Sequence, residues 1–559
     1  MEDERRVIAI IPARGGSVGI PRKNVRLMGK KPLLAYSIEN CLAAEEIDDV
    51  FVSTEDAEIA EVARRFGAKV LERPLHLADA ITTLDEVILN SVKQLEEKKE
   101  YFSFVVTVQA TAPLMKPENI DKAIRKCVLE GLDTVLTVVE NTHLTWTGSP
   151  DGGDMFPAYA QRVNRQQLPP SYKETGGVVV CPRDVLLSTT SRFGQHVGVI
   201  EISKKEAIDI DDYFDWWLIE KSLQRKRICF HVIGNRLCGL GHVYRALTLA
   251  DRLVDHDIWF LVNDESQMAQ QIIQDRFYEV VTVAPGKEVQ TLLSDGSDLI
   301  INDILDTEDS FMRALTEAGV VSVNFEDLGT GASKATYVIN SMYDAPAGQV
   351  PSNVLSGIDY CCLRDEFYSV FPRESTSTKD VRNILLLFGG TDPAGLTLKI
   401  LHWLDQIEGD WEVTVILGIG FVHEDEVVSF AGQANHHIEI VRKTKIISRY
   451  MSEADIAITS AGRTVYELGS LGIPVLSVAA NEREMTHDFV RKSPGVIFLG
   501  AASELTETRF NRILGQVVYS DILRSKMTQH LLESGIRNGI DNVLNIIDKA
   551  LRVIPGSDS

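Results

Sequence analysis

The stretch VIAIIPARGGSVGIPRKN, residues 7–24, decides the fold. An apolar run, Val7-Ile8-Ala9-Ile10-Ile11, feeds directly into a loop carrying Gly15, Gly16 and Gly19 among the cations Arg14, Arg22 and Lys23, with Arg26 just beyond. A strand that ends in a glycine-rich turn brings backbone N–H groups close to phosphate oxygens, and nearby guanidinium and ammonium groups neutralise the charge. The spacing fits neither GxxxxGK[ST] nor GxGxxG. It therefore predicts a phosphate-holding loop of another kind at the head of an α/β fold.

Outward from that loop, short β-branched runs alternate with helical patterns along the whole chain, the signature of parallel-sheet α/β architecture. The first series predicts strands at 7–11, 50–53, 104–109, 134–139, 177–181 and 198–202, with helices at 33–44, 57–66, 84–97, 119–129 and 214–223. A second series predicts strands at 228–233, 258–262, 280–283, 298–304 and 320–325. The polar stretch PRESTSTK, 372–379, reads as a linker. A third series follows at 384–388, 413–417, 438–441, 456–459 and 475–478. The domain reading is 1–225, then a lobe at 226–371 and a lobe at 380–559, with a ligand in the cleft between two Rossmann-like halves.

A length of 559 residues exceeds what one core serves. The 44% hydrophobic and 25% charged composition is that of an ordinary globular chain. A formal net charge of -23 argues against general nucleic-acid binding, so an anionic substrate must be held by local basic loops. No stretch approaches 18 uninterrupted apolar residues, which predicts no membrane span. The seven cysteines are scattered without CxxC spacing and read as reduced thiols in a cytoplasmic protein.

Five separated motifs, in order, resemble those of the acylneuraminate cytidylyltransferases, the enzymes that make CMP-activated sialic and other nonulosonic acids. They are IPARGGSVGIPRKN, LERPLHLADAITT (71–83), VQATAPLMKPENI (108–120), NRQQLPPSYKETGG (164–177) and AIDIDD (207–212). The resemblance covers about the first 225 residues and implies a Rossmann-like, glycosyltransferase-A-like nucleotidyltransferase domain. It implies attack of a sugar's anomeric hydroxyl on the α-phosphorus of CTP, expelling pyrophosphate, in an enzyme that pairs as a homodimer. Arg14 and Lys23 are assigned to the triphosphate, with the backbone of Gly15, Gly16 and Ser17 lining it. Asn24 and Arg73 are expected to face the nucleotide, and Gln109 lies on the nucleotide or sugar side. Arg165, with its planar fork, suits the sugar carboxylate, beside Gln166 and Lys173. In Asp209-Ile210-Asp211 the alternation puts both carboxylates on one side of an extended segment, where they can share Mg2+. Departures from the family pattern are Val18 in place of a lysine, Ala110 and Met115 in place of proline and arginine, and ETGG where an asparagine often precedes one glycine. Arg22 partly substitutes for the missing lysine if its side chain turns inward.

The segment NRLCGLGHVYRALTLADRL, 235–253, repeats the strand–glycine-loop–helix arrangement, with His242 in the first turn, where the macrodipole favours a neutral imidazole. It resembles the GxGHxxR motif of the UDP-sugar hydrolases of pseudaminic-acid biosynthesis, relatives of MurG-type glycosyltransferases with a two-lobed glycosyltransferase-B-like fold. LLLFGGTDPAGLT (385–397) and SAGRTVYELGSLGIPVLSVAANERE (460–484) resemble their diphosphate and nucleotide segments. The resemblance implies that His242 is catalytic, that Gly462, Thr464 and Glu467 meet the nucleotide of a UDP-sugar, that Gly390 and Thr391 line its diphosphate, and that Asn481 reaches the cleft. Glu467 would accept both ribose hydroxyls. The chain reads Ile301-Asn302-Asp303-Ile304-Leu305 where relatives carry a DxY-type motif, and Asn481-Glu482 where they carry Asn-Gln.

The combined expectation is a bifunctional α/β enzyme of nonulosonic acid synthesis, a cytidylyltransferase fused to a UDP-amino-sugar hydrolase. The second part could instead transfer the sugar or only bind a sugar nucleotide. A charge-assisted contact contributes about 1.5–3 kcal/mol, so Val18→Lys is expected to raise CMP transfer by about ten- to a hundredfold in a pyrophosphate-release assay. Unchanged or lower turnover would show that the loop handles its phosphates without a charge at that position.

Overall fold

In the computed structural model, residues 5–17, 19–79, 81–149, 152–235, 238–343, 351–373, 380–442, 444 and 446–553 are described. Val18 and most of the 372–379 linker lie outside them. The chain divides into two compact units, Met1–Gln224 and Arg225–Ser559.

The first unit is built on a seven-stranded sheet. Its strands are β1 (Val7–Pro12), β2 (Asp49–Thr54), β3 (Lys69–Glu72), β4 (Phe104–Val108), β5 (Thr134–Glu140), β6 (Tyr172–Pro182) and β7 (Val197–Glu201), in spatial order β7-β5-β6-β4-β1-β2-β3. All pair in parallel except β6, which runs antiparallel to β4 and β5. Val7, Ala9 and Ile11 pack into one core layer while Ile8 and Ile10 pack into another, so β1 is covered on both faces, as a central parallel strand must be. That double burial is why its sequence is uninterruptedly apolar. β6 begins five residues earlier than the β-branched run at 177–181, because Tyr172, Lys173 and Glu174 pair with Glu140, Val139 and Val138 before a register shift. β3 and the exposed hairpin Trp146–Gly148/Met155–Pro157 carry no such apolar signal.

The second unit holds two wholly parallel sheets. The first contains β8 (Arg227–Val232), β9 (Asp257–Asn263), β10 (Glu279–Val283), β11 (Leu299–Asp303), β12 (Ser322–Phe325), β13 (Tyr337–Asn340) and β14 (Val354–Ser356), ordered β10-β9-β8-β11-β12-β13-β14. The second contains β15 (Asn383–Leu387), β16 (Glu412–Leu417), β17 (His437–Arg442), β18 (Ile456–Ser460), β19 (Val475–Ala479) and β20 (Val496–Ala501), ordered β17-β16-β15-β18-β19-β20. This is the two-lobed, glycosyltransferase-B-like arrangement.

Two segments cross the lobe boundaries drawn from the sequence. Cys361, Leu363 and Phe367 pack with Leu385 and Tyr466 of the second lobe. The last helix, Gly539–Leu551, returns to the first lobe, where Ile540, Val543, Ile547 and Ala550 join the core around Phe230 and Phe325. Its helical stripe of apolar residues has no sheet of its own to cover, and burial against the first lobe supplies one. Ile547 is fully buried, so Ile547→Ala should destabilise the chain by about 2–5 kcal/mol and lower its urea midpoint. An unchanged midpoint would contradict the packing.

Candidate functional sites

In the first unit the loop leaving β1 is tied down before it can meet a ligand. The Ala13 amide donates to Ser53 O, and the Gly15 amide donates to Glu55 Oε1 at 2.7 Å. Asn24, buried, closes the loop by donating from Nδ2 to Arg14 O at 3.0 Å. Lys23 Nζ then donates to Ile210 O at 2.6 Å, joining the loop to the acidic segment. A side chain on Gly19 would place its Cβ 2.4 Å from Asp211 O, so here two stretches of backbone touch and only glycine fits. Beneath the contact, Ile20 and Ile210 share a cluster with Met28, Leu33, Trp216 and Ile219.

Residues 208–211 belong to no strand. Ile210 is buried, with Ile208 packed on the same cluster, and its amide donates to Thr111 O at 3.0 Å, while Asp209 is half-buried and Asp211 exposed. Asp209 Oδ1 is buried without a hydrogen-bond partner among the described residues. Burial pulls the Lys23 ammonium below the ordinary lysine value, against the opposing attraction of Asp209 and Asp211. A half-buried cation and an unpartnered carboxylate oxygen thus meet at one place, a setting for a phosphate and a hard cation.

Other predicted residues fall in different surroundings. Arg14 donates to Asp79 O at 2.7 Å, and the space beside Gly16 is open. The Ser17 amide turns back to Gly15 O. Arg22, offered as a substitute cation, turns outward instead and pairs with Glu58, both exposed; its own φ of 57° lies in the left-handed region. Arg73 is 5% exposed and donates from Nη2 to Ser53 O at 2.7 Å, with Glu55 at 3.8 Å. It therefore underpins the loop from below, and burial pulls its pKa down. Gln109 lies against Gly176, where an added Cβ would come within 2.9 Å of its amide carbon. Met115 is a core residue over Gly177, which explains why an arginine is absent there. Arg165, Gln166 and Lys173 are exposed, the first two on the short helix Arg165–Gln167 and the third on β6.

In the second unit, His242, Gly390, Thr391, Gly462, Thr464, Glu467 and Asn481 line one cavity of about 700 Å3. His242 is the second residue of the helix Gly241–Ala250, and its Nδ1 lies 2.5 Å from Asp303 Oδ1. A carboxylate only accepts, so Nδ1–H donates and Nε2 is left as the ring's free nitrogen. Against the cost of burial, the Arg245 charge and the hydrogen bonds from Arg245 and His242 hold the Asp303 carboxyl well below the usual carboxylate range. Glu467 Oε1 already accepts from Arg364 Nε at 2.8 Å, so one oxygen expected to serve the ribose is engaged. Asn481 Oδ1 accepts the Glu484 amide, and Glu484 also lines the cavity. Burial raises the Glu484 carboxyl above its ordinary value, against the Ala480 amide that donates to it.

The sequence reading passed over Asp303, Arg364 and Glu484 as site residues. Asp303 carried a usable signal, because ligands in open α/β sheets gather at the carboxyl ends of strands and Asp303 ends β11. Arg364 sits in a loop and Glu484 opens the short 3-10 helix Glu484–Thr486, and neither carried one.

Strand, glycine loop and paired carboxylates define the first unit as a nucleotidyltransferase-like α/β domain. Residues 8–146 match the profile described as "Cytidylyltransferase". Pseudaminic acid cytidylyltransferase of Campylobacter jejuni is 30% identical over 213 residues, spanning 37% of this chain and 92% of that protein. The chain belongs to the cytidylyltransferase family. N-acylneuraminate cytidylyltransferase A of Danio rerio is 28% identical over 227 residues, spanning 40% of this chain and 51% of that protein. The chain spans about half the length of the first curated relatives it matches, 57%, 51% and 52%. Among solved structures, Acinetobacter baumannii MurG covers 58% of this chain and 99% of its own at 15% identity, with a TM-score of 0.45.

Because Gly19 meets the Asp211 carbonyl, Gly19→Ala must push the acidic segment away from the loop. CTP affinity measured by calorimetry is expected to fall about tenfold or more, with the fold retained by circular dichroism. Wild-type affinity would show that the contact does not shape the site.

Proposed function

We propose that the first unit transfers CMP from CTP to the anomeric hydroxyl of a nonulosonic acid, releasing pyrophosphate. The observation that carries this reading is the meeting of the cationic loop with Asp209 and Asp211 through Lys23. Lys23 and Arg14 neutralise the triphosphate, while the backbone of Gly15, Gly16 and Ser17 lines it, with open space beside Gly16. An anomeric O–P bond forms at the α-phosphorus, the α–β anhydride bond breaks, and the hydroxyl proton leaves to solvent. Arg165, exposed and without a side-chain partner among the described residues, is free to take the sugar carboxylate in bidentate fashion, with Gln166 and Lys173 alongside.

The donor set suits Mg2+. Asp209 Oδ1 is an orphaned carboxylate oxygen, and among the described residues no third His, Cys, Asp or Glu completes a protein-only site, so the triphosphate would share the ion. When bound, the metal supplies charge neutralisation to the departing pyrophosphate.

For the second unit the reading is hydrolysis of a UDP-linked amino sugar. His242 Nε2, oriented by Asp303 on the opposite nitrogen, takes a proton from water as the water oxygen bonds to the anomeric carbon, the C–O bond to UDP breaks and UDP leaves with its phosphate oxygen. A product that forms only with an added acceptor would make this unit a transferase, and UDP binding without turnover would make it a binding module.

The test is incubation with CTP, Mg2+ and a panel of nonulosonic acids, following pyrophosphate. Release with at least one acid is expected, and release with none overturns the reading. Asp211→Ala should lose roughly a hundredfold or more in rate, and full activity in that variant would overturn the metal assignment.

A further inference from the structure

Glu326 does not line the cavity, yet its contacts through Arg245, Met342 and Arg483 lead there. It follows β12, is fully buried, and has a φ of 52°, a left-handed backbone that a residue with a side chain holds only when its surroundings dictate it. Its Oε1 accepts from Arg245 Nη1 at 2.9 Å, from the Ser341 amide at 3.1 Å and from Ser341 Oγ at 2.7 Å. Its Oε2 accepts the Met342 amide at 3.3 Å. Arg245, also buried and stacked 4.7 Å from the Phe325 ring, donates twice to Asp303, Nε to Oδ2 at 2.7 Å and Nη2 to Oδ1 at 2.6 Å. Asp303 Oδ1 in turn takes His242 Nδ1. The chain of contacts is Glu326, Arg245, Asp303, His242, with no solvent-exposed member.

The backbone of Glu326 faces the other lobe. Its carbonyl accepts Arg483 Nη2, and Arg483 also makes a fork to both oxygens of Asp306 at 2.9 Å and lies 4.7 Å over the Tyr343 ring. Arg483 belongs to the loop whose neighbours Asn481 and Glu484 line the cavity from the second lobe. One residue therefore touches both the support of the histidine and the loop that comes to the ligand from across the cleft.

We infer that Glu326 is a positioning residue: through Arg245 and Asp303 it aligns His242, and through its carbonyl it couples that alignment to the Arg483 loop. The inference rests on the reading that His242 acts on a UDP-sugar. A buried ion network alone is weak evidence for stability, because desolvation offsets attraction. What distinguishes this one is its direction, from a strained backbone in one lobe to the cavity histidine and to a loop of the other.

The experiment follows the His242 Nδ1–H proton by NMR in the full chain carrying 15N-histidine, assigned by its loss in His242→Gln. Glu326→Gln should move that resonance and lower kcat for a UDP-amino sugar about tenfold, with KM within about twofold. A folded Glu326→Gln protein with the resonance in its wild-type place overturns the inference. Should that variant fail to fold, Arg483→Ala carries the test: UDP should shift the resonance in the wild type and leave it unmoved in the variant. Equal shifts in both overturn the coupling. If the resonance behaves as described and the wild type turns over no UDP-sugar, the hydrolase reading fails while the positioning role stands.

Discussion

The first unit depends on one contact, the backbone of Gly19 against the carbonyl of Asp211, reinforced by Lys23 Nζ on Ile210 O across 187 residues of sequence. Neither partner could form the site alone. The loop supplies cations and open space beside Gly16, and the acidic segment supplies carboxylates. A hydrophobic cluster under both, built on Ile20 and Ile210, keeps opposite charges close without letting them collapse into a simple ion pair. Lys23 answers to a carbonyl, which leaves Asp209 Oδ1 unpartnered. A group kept without a partner in the protein is available to a ligand, and its desolvation is offset only when one arrives.

The second unit uses the same logic with different parts. Asp303 and the glycine loop that precedes His242 both lie at carboxyl ends of parallel strands, where the open α/β sheet leaves its crevice. The imidazole is held by a carboxylate that is itself held by a buried arginine. Arg463, beside Gly462, donates to Gly241 O and Cys362 O, so the glycine loop of one lobe also touches the first residue of the histidine helix.

Much of this was legible in the chain because burial writes itself into composition. Central parallel strands such as β1, β8, β11 and β18 are apolar on both faces and stand out as β-branched runs. β3 covers only Val70 and Leu71 between exposed Lys69 and Glu72, and the hairpin around Trp146 is exposed throughout, so neither left a pattern. The return of Ile540 to Ala550 to the first lobe was hidden because an amphipathic helix states that it needs a partner without naming which. Side-chain direction was equally invisible. Arg22 and Lys23 are neighbours with the same charge, yet one meets Glu58 outside and the other Ile210 within. Arg73, expected beside the nucleotide, braces the loop from the core. The seven cavity residues predicted in the second unit do converge, since their motifs each sit where a strand ends.

The most direct test of the central claim is a crystal structure with CTP and Mn2+, read by the anomalous signal of the metal. The account predicts the metal on Asp209 and Asp211, with the triphosphate against Lys23 and the Gly15–Gly16 backbone. A nucleotide bound away from this loop, or a metal held by phosphate oxygens with Asp209 untouched, would contradict it.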